Sequence, residues 1–113
     1  MADFLYLYRG TGPVTAALSP QQMQDYMQSF FAWVGTLSRD GRMTSCGPLE
    51  PGSRVLRGTA PVTDGPYAEA KDMIGGYSLV SVKDLDEAVA LARTCPFAEI
   101  GGTVEVRPVG GKG

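Results

Sequence analysis

The sequence predicts an α+β domain in which an antiparallel sheet carries two helices on one face. Three observations predict it. Two segments show helical apolar spacing behind N-cap signals, at Ser19-Pro20 and at Asp84. Strand-like segments flank both, in the order strand, helix, strands, strand, helix, strand. At 113 residues, 43% hydrophobic and 19% charged, the chain has the size and balance of one globular domain.

The first strand runs from Asp3 to Arg9. Phe4, Tyr6 and Tyr8 point one way and Leu5 and Leu7 the other, so both faces are apolar and both expect cover. Gly10-Thr11-Gly12-Pro13 interrupts the pattern. Ser19 is the natural N-cap of the first helix, with Pro20 at its first position and Gln22 completing a capping box. Leu18 and Met23 stand at the positions of a hydrophobic staple. Met23, Tyr26, Met27, Phe30, Val34 and Leu37 form its apolar face, which Phe31 and Trp33 widen. Asp40-Gly41 ends it.

Met43 to Leu49 reads as a second strand and Ser53 to Gly58 as a short third one. Thr59 to Gly76 is punctuated by Gly-Pro and Gly-Gly, which predicts a long irregular segment. Tyr77 to Val82 alternates again, with Tyr77 and Leu79 opposite Ser78, Val80 and Val82. Asp84 caps the second helix and Glu87 answers it; Leu85, Ala88, Val89 and Ala92 form the expected buried stripe, and Pro96 stops the helix. Thr103 to Val109 closes the sheet, with Val104 and Val106 on one face and Thr103, Glu105 and Arg107 on the other. Residues 1–109 thus make one domain, and 110–113 a flexible tail.

This order matches a ferredoxin-like sandwich. Two helices cover one face of its sheet, and the other face is expected to carry Phe4, Tyr6 and Tyr8. Leaving such side chains in water forfeits ~1.5–3 kcal/mol each. A second copy placed sheet against sheet is the economical cover, which predicts a homodimer.

Composition removes whole classes of function. The net charge of −2 offers no basic footprint for nucleic acid. The longest apolar stretch, residues 30–34, falls far short of the ~20 residues that span a bilayer. The opening Met1-Ala2-Asp3-Phe4 lacks the basic region of a signal peptide, so a cytoplasmic location is expected. Cys46 and Cys95 make no Cys-x-x-Cys pair, and both are expected to be buried small hydrophobes rather than metal ligands. The chain has no histidine, which excludes Ser-His-Asp and Cys-His catalysis and histidine-ligated metal. No cofactor is expected.

Val62-Thr63-Asp64-Gly65-Pro66-Tyr67-Ala68-Glu69, followed by Gly75-Gly76-Tyr77, resembles the signature of the YCII-related family, in its Asp-Gly-Pro-Phe branch with Tyr67 in the phenylalanine position. Phe4-Leu5-Tyr6-Leu7-Tyr8, Leu18-Ser19-Pro20, Asp84-Leu85-Asp86-Glu87-Ala88 and Val104-Glu105-Val106-Arg107-Pro108 agree with it in order, over nearly the whole chain. The resemblance implies a dimeric α+β barrel. It also implies an association with extracytoplasmic-function sigma factors, as neighbours or fused domains. Some YCII-like proteins carry a histidine–aspartate pair proposed to be catalytic. Here only the aspartate has a counterpart, in Asp64.

The candidate site gathers around that motif. Asp64 is either a turn former before Gly-Pro or a general base beside an intersheet cavity. Tyr67 is a wall aromatic or a hydroxyl donor, and Glu69 a solvated charge or an acceptor for a ligand. Tyr6 and Tyr8 are expected to face the intersheet space, where their hydroxyls either bind a substrate or, more simply, pack in a core that must supply them partners, and Arg9 either pairs with an acid at its mouth or points to water. Glu105, if turned into a dry dimer cavity, would have its pKa raised. Three functions are consistent with these residues. One is small-molecule binding with carboxylate or phenol acid–base chemistry. Another is a regulatory module that partners a sigma factor. The third, by fold analogy alone, is a cofactor-free monooxygenase.

Overall fold

The computed structural model describes residues 1–65 and 68–110. Four strands form one antiparallel sheet: β1 (Ala2–Arg9), β2 (Met43–Pro48), β5 (Ile74–Val82) and β6 (Thr103–Pro108), in the order β2-β5-β1-β6. The helices α2 (Pro20–Arg39) and α3 (Leu85–Ala92) pack on one face. This is the expected ferredoxin-like α+β sandwich. Among the described residues no helix is long and apolar enough to cross a membrane.

The caps form as the local sequence dictates. Ser19 Oγ accepts from Gln22 N at 3.1 Å, and the Gln22 side chain accepts from Ser19 N at 2.8 Å, closing the capping box of α2. Gly41, at φ 83°, follows that helix in the left-handed region. Asp84 accepts from Glu87 N at 2.9 Å, but Glu87 reaches past the cap to Lys83 N at 2.6 Å. The buried stripe of α3 is also turned from its expected position. Ala88, Leu91 and Ala92 are buried, and Leu85 faces outward. Pro96 stops the helix and starts another, α4 (Pro96–Glu99), whose Phe97 enters the core.

The structure reverses the expected faces of β1. Phe4, Tyr6 and Tyr8 lie under the helices, not on the open side. Tyr6 is 0% exposed, and its hydroxyl donates to the Ala88 carbonyl of α3 at 2.6 Å. The ring of Tyr8 meets Phe30 and Phe97 edge-on, at centroid distances of 5.7 and 5.8 Å, and its hydroxyl pairs with Ser78 Oγ at 2.7 Å. The physical reason lies across the interface. The helices supply the aromatic partners of Tyr8 and the acceptor for Tyr6, and Ser78 of β5 on the same face pairs with the Tyr8 hydroxyl, so the larger aromatic set is buried there.

The open face therefore carries the shorter apolar set. Tyr77, Leu7 and Glu105 stand in one cross-strand row, and Leu79, Leu5 and Arg107 in the next. Ser45 and Gly47 of β2 extend the two rows at the edge. The Tyr77 ring lies near Gly47, and its hydroxyl is 3.2 Å from Ser45 Oγ.

Three further features depart from expectation. The Gly10–Pro13 interruption leads into a short helix, α1 (Thr11–Ala16). The third strand shrinks to β3 (Arg54–Val55), which pairs with β4 (Thr63–Asp64) as a separate two-stranded ribbon. Cys95 is buried as expected, but Cys46 is exposed on the edge strand β2.

Candidate functional site

At one end of the sheet the chain turns three times in close succession. β1 ends at Arg9, β2 runs out through Leu49 and Glu50, and β5 begins at Ile74. Glycine permits the crowding. Gly10 has φ 69°, and a Cβ there would lie 2.6 Å from the Lys71 carbonyl oxygen. Its amide donates to Met73 O at 2.8 Å, tying the end of β1 to the segment before β5. A Cβ on Gly75 would fall 1.8 Å from Thr11 Oγ1. Leu49 N donates to Gly75 O at 2.9 Å and holds the end of β2 in place.

Between this sheet end and the β3–β4 ribbon lies an open groove of about 840 Å³. Leu49, Met73 and Ile74 supply apolar wall, and Arg9, Glu50, Arg54, Asp64 and Asp72 supply charge. Asp64, expected as a turn former or a base beside an intersheet cavity, and Arg9, expected to pair with an acid or point to water, both line this groove, which lies at the sheet end and not between sheets. The sequence did not single out Glu50, Arg54 or Asp72. The Pro- and Gly-rich run after β2 was the available signal for the first two, since loops at a sheet end commonly carry ligand contacts.

Asp64 sits on β4, opposite Arg54 in register, with Arg54 Nε 3.4 Å from its carboxylate. Its side chain is 85% exposed. Asp64 stands in a strand and not in a turn: the following amide, Gly65 N, continues the ribbon by bonding Ser53 O at 2.9 Å, and a Cβ on Gly65 would strike Ser53 Oγ. Glu69 is exposed and does not line the groove, although its neighbours Ala68 and Ala70 do. Tyr67 lies outside the described residues. Tyr6 and Tyr8 are removed from the site altogether, because their hydroxyls are committed in the core.

Arg9 joins the groove to the open sheet face. Its Nε donates to Glu105 Oε1 at 2.8 Å, and its Nη1 donates to the Asp72 carbonyl at 2.8 Å. Glu105 Oε2 also accepts from Arg107 Nη1, at 3.3 Å. The pKa of Glu105 is lowered, against the rise considered from the sequence. The hydrogen bond from Arg9 is the largest cause and outweighs desolvation. Two guanidiniums share one carboxylate, so Glu105 holds Arg9 in position and is a poor proton acceptor. Among the described residues no group of three or more Cys, Asp or Glu side chains is arranged to hold a metal ion.

Comparison with known proteins follows the same lines. A model of the YCII-related domain matches residues 5–110. An uncharacterised protein of Rhizobium meliloti (strain 1021) is 32% identical over 102 residues, spanning 85% of this chain and 82% of the relative. Among solved structures, the 5-chloro-2-hydroxyhydroquinone dehydrochlorinase TftG of Burkholderia phenoliruptrix AC1100, in complex with 2,5-dihydroxybenzoquinone, is similar. Its identity is 18% and its TM-score 0.56, over 97% of this chain and 94% of that one. At that identity the likeness is one of fold.

Proposed function

The chain belongs to the YCII-related domain family, and from that premise we propose that it binds a small organic molecule in the groove at the sheet end. One observation carries the reading. Arg9 from the rigid sheet and Asp64 from the ribbon line the same concavity, with the apolar Leu49, Met73 and Ile74 also in its walls. Its volume of about 840 Å³ falls within the ~300–1,000 Å³ usual for ligand sites. A fold neighbour solved with a dihydroxybenzoquinone supports a small oxygenated molecule as the kind of ligand to try first. With no histidine in the chain, proton transfer in the groove falls to a carboxylate, and Asp64, 85% exposed and held only by the 3.4 Å contact to Arg54, is the candidate base.

We propose also that the chain acts as a homodimer, closed over its open sheet face. Leu5, Leu7, Tyr77 and Leu79 form a half-buried apolar patch there that no helix covers. A second copy would bury it.

The test is native mass spectrometry of freshly purified protein, followed by titration of 15N-labelled protein with 2,5-dihydroxybenzoquinone. Gly12, Gly52, Gly65 and Gly75 line the groove and report on it through their amide resonances. Selective shifts at these glycines support the reading. Shifts elsewhere, with these four unmoved at saturation, refute it for this groove.

A further inference from the structure

We infer that the groove selects a zwitterion, such as an α-amino acid or a close relative of one. This rests on the reading of the groove as the ligand site and adds the class of ligand. The inference comes from what each charged group lining the groove already does. Arg54 and Asp64 face each other across the ribbon and pair at 3.4 Å, so each offsets the other. Arg9 is engaged at Nε by Glu105 and at Nη1 by the Asp72 carbonyl, while its Nη2 has no hydrogen-bond acceptor among the described residues. Glu50 and Asp72 line the same groove, and neither carboxylate has a hydrogen-bond or ion-pair partner among the described residues. Among the described residues, one guanidinium edge and two carboxylates of the groove are thus without a partner.

The two kinds of charge lie close together. Both line one groove, and the Arg9 guanidinium is held against the Asp72 backbone, its Nη1 2.8 Å from that carbonyl oxygen. A simple anion would meet Arg9 but be repelled by the unpaired carboxylates. A simple cation would meet those carboxylates and leave the Arg9 edge unused. An α-amino acid carries both charges on one carbon, which suits a guanidinium with a carboxylate beside it. Leu49, Met73 and Ile74 provide apolar surface for its side chain. Glu105 acts at one remove. By holding Nε it keeps the far edge of Arg9 turned from the sheet face, which makes it a positioning residue.

The experiment compares three probes of equal apolar size against the unmodified chain. These are leucine, which carries both charges, N-acetylleucine, which keeps only the carboxylate, and leucinamide, which keeps only the ammonium. Binding is followed at the four groove glycines. Leucine should bind about tenfold more tightly than either singly charged probe, the usual scale of one charge-assisted contact in a partly exposed site. Glu50→Gln removes an exposed carboxylate that supports nothing else. It should reduce leucine and leucinamide binding while leaving N-acetylleucine unchanged or improved. Arg9→Gln should reduce leucine and N-acetylleucine binding while leaving leucinamide unchanged or improved, and Glu50→Gln keeps the proposal testable if Arg9→Gln fails to fold.

Equal binding of leucine and N-acetylleucine, or of leucine and leucinamide, overturns the zwitterion class but leaves the groove as a ligand site. So does binding of 2,5-dihydroxybenzoquinone at the glycines without any leucine response. If no probe moves the groove glycines, both the class and the underlying reading fail.

Discussion

Removing one oxygen from Tyr6 tests the placement of β1 under the helices. The Tyr6 hydroxyl is fully buried and donates to the Ala88 carbonyl at 2.6 Å, linking the central strand to α3. In Tyr6→Phe the ring and its packing stay, and only this link is lost. Ala88 O keeps the helical acceptor role that any residue four positions before Ala92 has, so it is not orphaned. The cost is therefore that of one buried hydrogen bond plus a small void, about 1–2 kcal/mol. For 113 residues the unfolding entropy makes 1 kcal/mol worth about 4 °C in melting temperature, so a fall of roughly 4–8 °C is expected. Urea denaturation should show a lower midpoint with an unchanged slope, because the surface exposed on unfolding is the same. A melting temperature within about 1 °C of the parent would mean that the hydroxyl makes no such bond, and the assignment of Phe4, Tyr6 and Tyr8 to the helix side would be wrong.

Leu7, the next residue along β1, points the other way. Light scattering should give the parent twice the monomer mass of 12.0 kDa, and Leu7→Asp should leave the melting curve cooperative but yield monomers; a monomeric parent, or an unchanged mass in the variant, would refute the proposed sheet-to-sheet dimer. Burial pushes Tyr6 and Tyr8 well above the ordinary phenol range, and Tyr26 up to about 12. Unfolded phenols ionise near pH 10, so the stability linked to these groups is complete below about pH 10 and is lost as the pH rises beyond it. Phenolate absorbance of the folded protein should lag that of the urea-unfolded chain over this range, and superimposable titrations would contradict the burial. Of the two thiols, Cys46 should react at once with a thiol reagent and Cys95 only on unfolding; two fast thiols in the native protein would show that the core around Cys95 opens readily.

The sequence by itself determined those parts of the molecule whose causes are local. The Ser19–Gln22 capping box, the Asp84 cap and the alternation of Tyr77 to Val82 are each written within a few residues, because caps and strand faces depend on near neighbours. The order of these elements was enough for the ferredoxin-like sandwich, and the segment from Val62 to Tyr77, together with the motifs that agree with it in order along nearly the whole chain, for the family. Only the tertiary structure decided which side of β1 the helices cover. A strand apolar on both faces has a period of two and no preferred side, and the choice falls to Phe30, Phe97 and the Ala88 carbonyl, all distant in sequence. The same cause decides which residues form the candidate site. With Tyr6 and Tyr8 in the core, the polar residues left at the sheet end are Arg9, Glu105 and the loop carboxylates. The state of Glu105 likewise depends on Arg9, 96 residues away, whose guanidinium lowers a pKa that desolvation alone would have raised. Charge pairing and face selection are set by what packs opposite, and a strand read alone does not contain its opposite side.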